Sequence, residues 1–330
     1  MLNEEVLNKQ ANFDEVDTQA VTAVRMLSMD MISRARSGHP GLPLGAAPMA
    51  YVLFSRHLRV DPSFPQWFNR DRFVLSAGHG SAMLYSLLHL SGFALSRDDL
   101  MNFRQLGSKT PGHPEYGVTP GVDATTGPLG QGIGMAVGMA MAEQHLRASY
   151  NRPNLSVVDH YTYALCGDGD LMEGVAAEAA SLAGQLQLNK LIVLYDSNDV
   201  SLDGPLSNAC HDNVAERFES YGWNYLRVAD GDDLAAIDQA IRTAKNNQSG
   251  PTLIEVKTQI GAGSPNAGTN KVHGAPLNSE DLAATRAHYH WECDPFTVPA
   301  TVHERFMTTI KARGWASHQE WSSVITRYST

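Results

Sequence analysis

Apolar positions along this chain follow two rhythms. Short unbroken apolar or β-branched runs stop at glycine or aspartate, while longer stretches repeat apolar residues at helical spacing. Residues 161–166 (Tyr161 to Cys166) and 190–195 are runs of the first kind and predict buried strands. Residues 173–188 between them are rich in alanine and leucine and predict a helix that packs closely on a sheet. The three form a βαβ unit, whose crossover is expected to be right-handed. Upstream, Val21, Val24, Leu27, Met31 and Ile32 mark a helix over 18–36 with Thr18 as its cap. Further helices are predicted over 44–58, 81–90 and 129–147, with a strand over 73–75. Downstream come a strand over 225–228, a helix over 234–245 and a strand over 253–258. Strands alternating with helices predict an α/β fold: a doubly wound, mostly parallel sheet of at least five strands with helices on both faces. Two long loops, 107–128 and 259–278, are rich in glycine, and such loops inside a compact domain usually carry function. From Ser279 onward the pattern changes to short helices with many tryptophans and histidines.

The strand ends hold the candidate chemistry. Gly167-Asp168-Gly169 closes the first strand of the central unit and Asp196-Ser197-Asn198 the second. Open α/β sheets bind ligands at that edge. A carboxylate and an amide oxygen are hard ligands suited to magnesium or calcium, which completes its shell with water and phosphate oxygens. Gly167 and Gly169 leave room for a phosphate against the backbone. The residues therefore point to a metal–diphosphate site, although the same types also make ordinary turns. The start of the 129–147 helix carries Gly127, Gly130, Gly132, Gly134 and Gly138, and a helix amino terminus suits an anion. The spacing is not G-x-G-x-x-G and no strand precedes it, which argues against a dinucleotide fingerprint; close helix packing is the other use of these glycines. Of 13 histidines, His39, His79, His113 and His273 fall in glycine-flanked loops. Imidazoles there can hydrogen-bond sugar hydroxyls and move protons near neutral pH.

Composition narrows the class. At 330 residues, 43% hydrophobic and 18% charged, the chain has the make-up of a globular protein with one large or two small domains. A net charge of −10 argues against nucleic-acid binding, which needs a basic face. No apolar run approaches the length of a membrane span. Residues 1–16 form an acidic amino-terminal extension without the apolar core of a signal peptide. Cys166, Cys210 and Cys293 are few and far apart, which suits reduced thiols and a cytoplasmic location. Cys166 ends a buried strand and reads as a packing residue. His288, His290 and Cys293 lack the fourth ligand that a structural zinc site requires.

Gly167-Asp168-Gly169 followed by Asn198, thirty positions after the aspartate, resembles the thiamine diphosphate motif. The surrounding blocks resemble the transketolase family. They are Ser37-Gly38-His39-Pro40-Gly41, Asp71-Arg72-Phe73-Val74-Leu75-Ser76, Gly78-His79-Gly80, Lys109-Thr110-Pro111-Gly112-His113-Pro114, Thr126-Gly127-Pro128-Leu129-Gly130-Gln131-Gly132 and His273-Gly274-Ala275-Pro276-Leu277. The similarity runs from about Asp17 to Pro299.

The resemblance implies thiamine diphosphate with Mg2+ or Ca2+ as cofactors. Gly167, Asp168, Gly169 and Asn198 would hold the diphosphate and metal, with the Val200 carbonyl as a further metal ligand. Gly127 and Leu129 would border the diphosphate and pyrimidine region. His39, His79, His113 and His273 would contact the donor sugar, with His79 and His273 also near the cofactor phosphates. Glu173 and Glu178 match glutamates of a carboxylate network across a homodimer; as plain helix residues they would be solvated charges. Asp170 and Asp199 stand where the family is usually uncharged, which is expected to add negative charge near the metal. The implied reaction moves a two-carbon ketol unit from a ketose phosphate such as xylulose 5-phosphate to an aldose phosphate such as ribose 5-phosphate or erythrose 4-phosphate. Dihydroxyacetone synthase and a non-catalytic ligand-binding domain of the same fold are the alternatives. Family members are about twice this length, and their pyrimidine-binding half has no counterpart here. The expected layout is therefore an extension at 1–16, a diphosphate-binding domain at 17–298 and the start of an interdomain linker at 299–330. Such a chain is expected to be inactive without the missing half, which would lie in the same or a second chain.

Overall fold

The computed structural model describes residues 13–329. Residues 1–12 of the expected extension lie outside this range. Five strands form the main sheet: β1 (Arg72–Leu75), β2 (Thr162–Gly167), β3 (Leu191–Ser197), β6 (Asn224–Val228) and β7 (Thr252–Lys257). Their order is β1-β2-β3-β7-β6 and every pairing is parallel. The register aligns Leu75 with Leu165, Gly167 with Asp196 and Asp196 with Val256, so the carboxyl ends of four strands meet at one edge. Two short strands after β3, β4 (Val200–Ser201) and β5 (Gly204–Pro205), make a small antiparallel ribbon at that edge.

Successive strand side chains point to opposite faces, and the two cores divide accordingly. Tyr163, Leu165, Ile192, Leu194, Ile254 and Val256 pack on one face with the helices Glu15–Ala35, Gly41–Val52, Ser81–Ser91 and Leu234–Asn246. Ala164, Cys166, Val193, Tyr195 and Leu253 pack on the other with Gln131–Tyr150 and Gly174–Gln185. This is the doubly wound arrangement expected from the sequence. Cys166 is fully buried, and burial pushes its thiol well above the usual range, as suits a packing residue.

Boundaries differ from the sequence pattern where local hydrogen bonds decide them. The first helix starts at Glu15, because Asp14 and Asp17 form a capping box, and Thr18 lies inside it. The helix expected over 173–188 runs over Gly174–Gln185 and is preceded by a separate short helix, Asp168–Met172, with Glu173 in extended backbone (φ −74°, ψ 136°) between the two. The helix expected to start at Leu129 starts at Gln131, behind Gly130 in the left-handed region (φ 79°).

Residues beyond Pro299 form the helices Ala300–Phe306 and Ala312–Tyr328, joined by a wider turn at Met307–Lys311. This tail packs onto the domain: Val302, Phe306 and Ile310 are fully buried. Arg313 donates to the carbonyls of Phe54 (2.6 Å), Leu58 (2.8 Å) and Ser55. Trp321 Nε1 donates to Val157 O at 2.8 Å. Among the described residues no helix is long and apolar enough to cross a membrane.

Candidate active site

A cavity of about 490 Å³ opens at the carboxyl edge of the sheet. Its lining includes His39, His79, His113, Gly127, Leu129, Gly167, Asp168, Gly169, Glu173, Asn198, Val200 and His273, each named above from sequence. They arrive from six places in the fold. His39 sits between the first two helices, His79 in the turn Gly78–Gly80 after β1, and His113 with Gly127 and Leu129 in the loop before Gln131. Gly167 to Glu173 follow β2, Asn198 and Val200 follow β3, and His273 follows the turn Asn270–Val272 beyond β7. One glycine here is required by close approach. A side chain at Gly78 would lie 2.7 Å from Thr126 Oγ1 and 2.8 Å from Gly127 N, so Gly78 lets the His113–Gly127 loop lie against the end of β1. At Gly167, by contrast, a Cβ would meet nothing within 4 Å: the backbone there faces open space.

Asp168 is buried at the cavity floor. Its Oδ1 accepts a hydrogen bond from the Tyr195 hydroxyl, while its Oδ2 is buried without a partner. Burial pushes the Asp168 carboxyl up to about 6, against the opposing Tyr195 hydrogen bond. An orphaned carboxylate oxygen beside a buried cavity is a cation-binding feature, because the lone charge is otherwise costly. Asn198 Nδ2 donates to Asp196 Oδ2 at 3.0 Å, and Asn198 Oδ1 accepts from Val200 N at 3.1 Å. Asp196 is buried and also accepts from Thr258; burial pushes it up to about 7. Among the described residues no group of three or more His, Cys, Asp or Glu is arranged to hold a metal ion, His288, His290 and Cys293 included. Asp168, Asn198 and Val200 offer one carboxylate and neutral oxygens, a set that fits a hard cation sharing its shell with a diphosphate.

Asp170 does not add free charge to the site. It is fully buried, and its Oδ1 accepts from Ser76 Oγ (2.6 Å) and Gly130 N (2.8 Å) while its Oδ2 accepts from Gly167 N (3.0 Å). One carboxylate thereby ties the end of β1, the glycine loop and the Gly167 turn together. Asp199 is exposed and pairs with Lys257 Nζ at 2.8 Å, which offsets its charge.

The four histidines cluster. His39 lies 5.3 Å from His79, 6.1 Å from His273 and 6.2 Å from His113, ring centre to ring centre. His79 and His273 stack at 5.2 Å and 24°. Burial, then the other imidazoles, hold His79 down to about 3; burial, then the Arg104 charge, hold His39 down to about 4. His113 and His273 are lowered chiefly by burial. The cluster therefore faces the cavity as neutral imidazoles at pH 7, each able to donate at one nitrogen and accept at the other. Glu173 and Glu178 are exposed. Sequence gives Tyr195 and Arg104 no role at the site, and Asp196 enters only as the first residue of Asp196-Ser197-Asn198. Tyr195 and Asp196 continue an apolar strand toward Asn198, and their position at its carboxyl end is the clue they offered; Arg104 offered none.

The comparisons agree with this geometry. The family described as transketolase, thiamine diphosphate binding domain, matches residues 16–330. The transketolase of Geobacillus stearothermophilus is 59% identical over 315 residues, covering 95% of this chain and 47% of the relative. The solved transketolase of Leishmania mexicana superposes with a TM-score of 0.93 at 45% identity, covering 96% of this chain and 48% of that one. A Pichia stipitis transketolase solved in complex with sedoheptulose 7-phosphate gives 0.93 at 46% identity, covering 96% and 47%. The chain thus spans about half the length of the relatives it matches. It belongs to the transketolase family, as that family's thiamine diphosphate-binding domain.

Proposed function

We propose that this chain is the diphosphate- and metal-binding part of an enzyme that transfers a two-carbon ketol unit between sugar phosphates. The observation that carries the reading is the single cavity in which the buried, unpartnered Asp168 Oδ2 and four neutral histidines lie together. Asp168, Asn198 and the Val200 carbonyl are the proposed ligands of Mg2+ or Ca2+. Gly127, Leu129, Gly167, Gly169 and Glu173 line the space assigned to the cofactor, and open backbone at Gly167 admits a phosphate. When bound, thiamine diphosphate supplies the electron sink that cleavage beside a carbonyl needs. The protein's part is to orient the sugar, exclude water and move protons. His79 and His273 are assigned to the phosphates and the reacting oxygens, and His39 and His113 to the sugar.

The substrate class is sugar phosphates, with xylulose 5-phosphate as donor and ribose 5-phosphate or erythrose 4-phosphate as acceptor, the chemistry of the pentose phosphate pathway. The Pichia stipitis complex with sedoheptulose 7-phosphate supports this class. The missing pyrimidine-binding half is supplied by the same or a second chain, and the working form is a homodimer. The side-by-side helices Gln131–Tyr150 and Gly174–Gln185 leave Met135, Met141 and Leu182 exposed, and such a face supports pairing. Three free cysteines suit a reducing, cytoplasmic setting.

Two measurements test the proposal. Calorimetry of the chain with thiamine diphosphate should detect binding only when Mg2+ or Ca2+ is present. Ketol transfer from xylulose 5-phosphate to ribose 5-phosphate should be undetectable with this chain and should appear on adding a separately expressed carboxyl half from the family. Metal-independent binding would defeat the site assignment, and turnover by the chain without the second half would defeat the half-site reading.

A further inference from the structure

We infer that Arg104 is a positioning residue that fixes the tautomer of His39, so that His39 meets its ligand as a neutral Nε2–H donor. Arg104 lies outside the matched motifs and adopts the left-handed region (φ 61°), unusual for a residue with a Cβ. Its backbone N donates to Thr110 O at 2.9 Å, which closes the loop between them. The guanidinium then bridges the two segments that carry His39 and His113. Its Nη1 donates to Ser37 Oγ at 2.9 Å, and its Nη2 lies 3.4 Å from His39 Nδ1 and 3.5 Å from Gly112 O. Gly112 makes room for it: a Cβ there would stand 3.2 Å from Arg104 Nε and 3.3 Å from Cζ.

A guanidinium has only donors. A hydrogen on His39 Nδ1 would point at another N–H on a cation, so Nδ1 must present its lone pair. A neutral ring then carries its proton on Nε2. The doubly protonated ring is disfavoured first by burial, then by Arg104 from one loop, His273 from beyond β7 and His113 from the loop before Gln131; His79, from the turn after β1, also faces it. None of these is a carboxylate. The Cδ2–Nε2 edge of the ring lies over Gly274, where a Cβ would come within 3.5 Å of both atoms. Nε2–H is the polar edge left for a ligand. His39 therefore donates a hydrogen bond to a ligand oxygen and cannot take a proton at Nε2; base duty falls to the other imidazoles.

The consequence for substrate rests on the proposed function, but the tautomer does not, and the experiment separates them. The 330-residue chain is labelled with 15N-histidine and followed by long-range proton–nitrogen correlation from pH 5 to 8, with His39→Asn assigning the signal. The expected result in the unaltered protein is an unprotonated Nδ1, a protonated Nε2 and no titration over this range. In Arg104→Met, His39 should show both tautomers and a titration midpoint raised by about one unit or more, and Arg104→Lys should restore part of the preference. A protonated Nδ1 in the unaltered protein, or a tautomer unchanged in Arg104→Met, overturns the inference. The first of these needs no variant, so a poorly folding Arg104→Met leaves the test intact. Calorimetry with thiamine diphosphate and Mg2+ on the same samples reports the cofactor reading independently of the tautomer.

Discussion

Tyr195 donates its phenolic hydrogen to Oδ1 of Asp168 and thereby aims the other carboxylate oxygen, Oδ2, at no protein partner. Asp168 directly follows β2 and Tyr195 lies near the carboxyl end of the neighbouring parallel β3, with Cys166 in register with Tyr195, so the bond is set by sheet geometry. It restricts the carboxylate to one orientation before any cation arrives, and an oriented ligand loses less entropy on binding.

Asp168→Asn should separate binding from stability. The charge is buried and costly, as the rise of its carboxyl to about 6 records. The neutral amide should leave the melting temperature at pH 7.5 unchanged or higher. Metal-dependent binding of thiamine diphosphate should be lost, by calorimetry. Retained affinity would remove Asp168 from the ligand set.

Tyr195→Phe keeps the ring in its apolar setting and deletes the hydroxyl that orients Asp168. Partners behind metal ligands typically contribute 10–100-fold in affinity. Magnesium-dependent binding of thiamine diphosphate should weaken by roughly that factor. An unchanged binding isotherm would mean that the strand by itself orients Asp168.

Asp170→Ala tests a different kind of acidic residue. It leaves Ser76 Oγ, Gly130 N and Gly167 N without their common acceptor in a buried place. Urea unfolding should show a loss of about 3–5 kcal/mol, since each buried donor without a partner costs about 1–3 kcal/mol. A loss under 1 kcal/mol would show that the three donors find other partners.

The pH dependence of stability has two opposed parts. The unfolded chain takes protons at His39 and His79 below about pH 6.5, whereas the folded chain refuses them down to about 4 and about 3. These two residues therefore withdraw stability as pH falls through that window. Asp168 and Asp196 act in reverse. Their folded values, about 6 and about 7, lie above the ordinary carboxylate value, so they add stability as pH falls from 7 toward 4. Replacing His39 and His79 by Gln should raise the melting temperature relative to the unaltered protein more at pH 5 than at pH 7.5. For Asp168→Asn the relative gain should shrink at pH 5. Equal differences at both pH values would contradict the assigned direction.

The two central strands were legible because each is a near-continuous apolar run ending in a chemically distinct residue, whereas β7 carries Glu255 within it. Predicted and observed ends of the first central strand differ by one residue, Cys166 against Gly167. Asp168 and Asn198 could be paired because parallel strands bring successive carboxyl ends to one edge. The role of Asp170 was not legible. Gly167 is a near neighbour, but Ser76 and Gly130 lie 94 and 40 residues away, so the sequence around Asp170 shows a negative charge and little of the donors that absorb it. Arg104 was hidden for the same reason: its partners, Ser37 and His39, precede it by more than sixty residues. The short helix Asp168–Met172 was not legible, because Gly167-Asp168-Gly169-Asp170 is made of residue types that ordinarily form turns.

The tail beyond Pro299 gives the last prediction. Segments that merely connect domains expose polar residues and make few contacts with either. Here Val302, Phe306 and Ile310 are fully buried, and burying each such side chain stabilises by roughly 1.5–3 kcal/mol. Arg313 supplies donors to three carbonyls, of Phe54, Ser55 and Leu58, where the helical segment beginning at Gly41 ends and its last carbonyls lack amide partners. Gly314 lies so close to Val60 that a Cβ would stand 1.7 Å from its carbonyl oxygen. Arg313→Ala should therefore cost at least about 4 kcal/mol, because each of its three hydrogen bonds from a charged donor contributes about 1.5–3 kcal/mol. Ending the chain at Pro299 removes all of these contacts together, a loss comparable with the whole stability of a typical domain, about 5–15 kcal/mol. The shortened chain should be insoluble or lack a cooperative unfolding transition by circular dichroism. Normal folding and unchanged thermal unfolding of the 1–299 chain would show that the tail only rests on the domain surface.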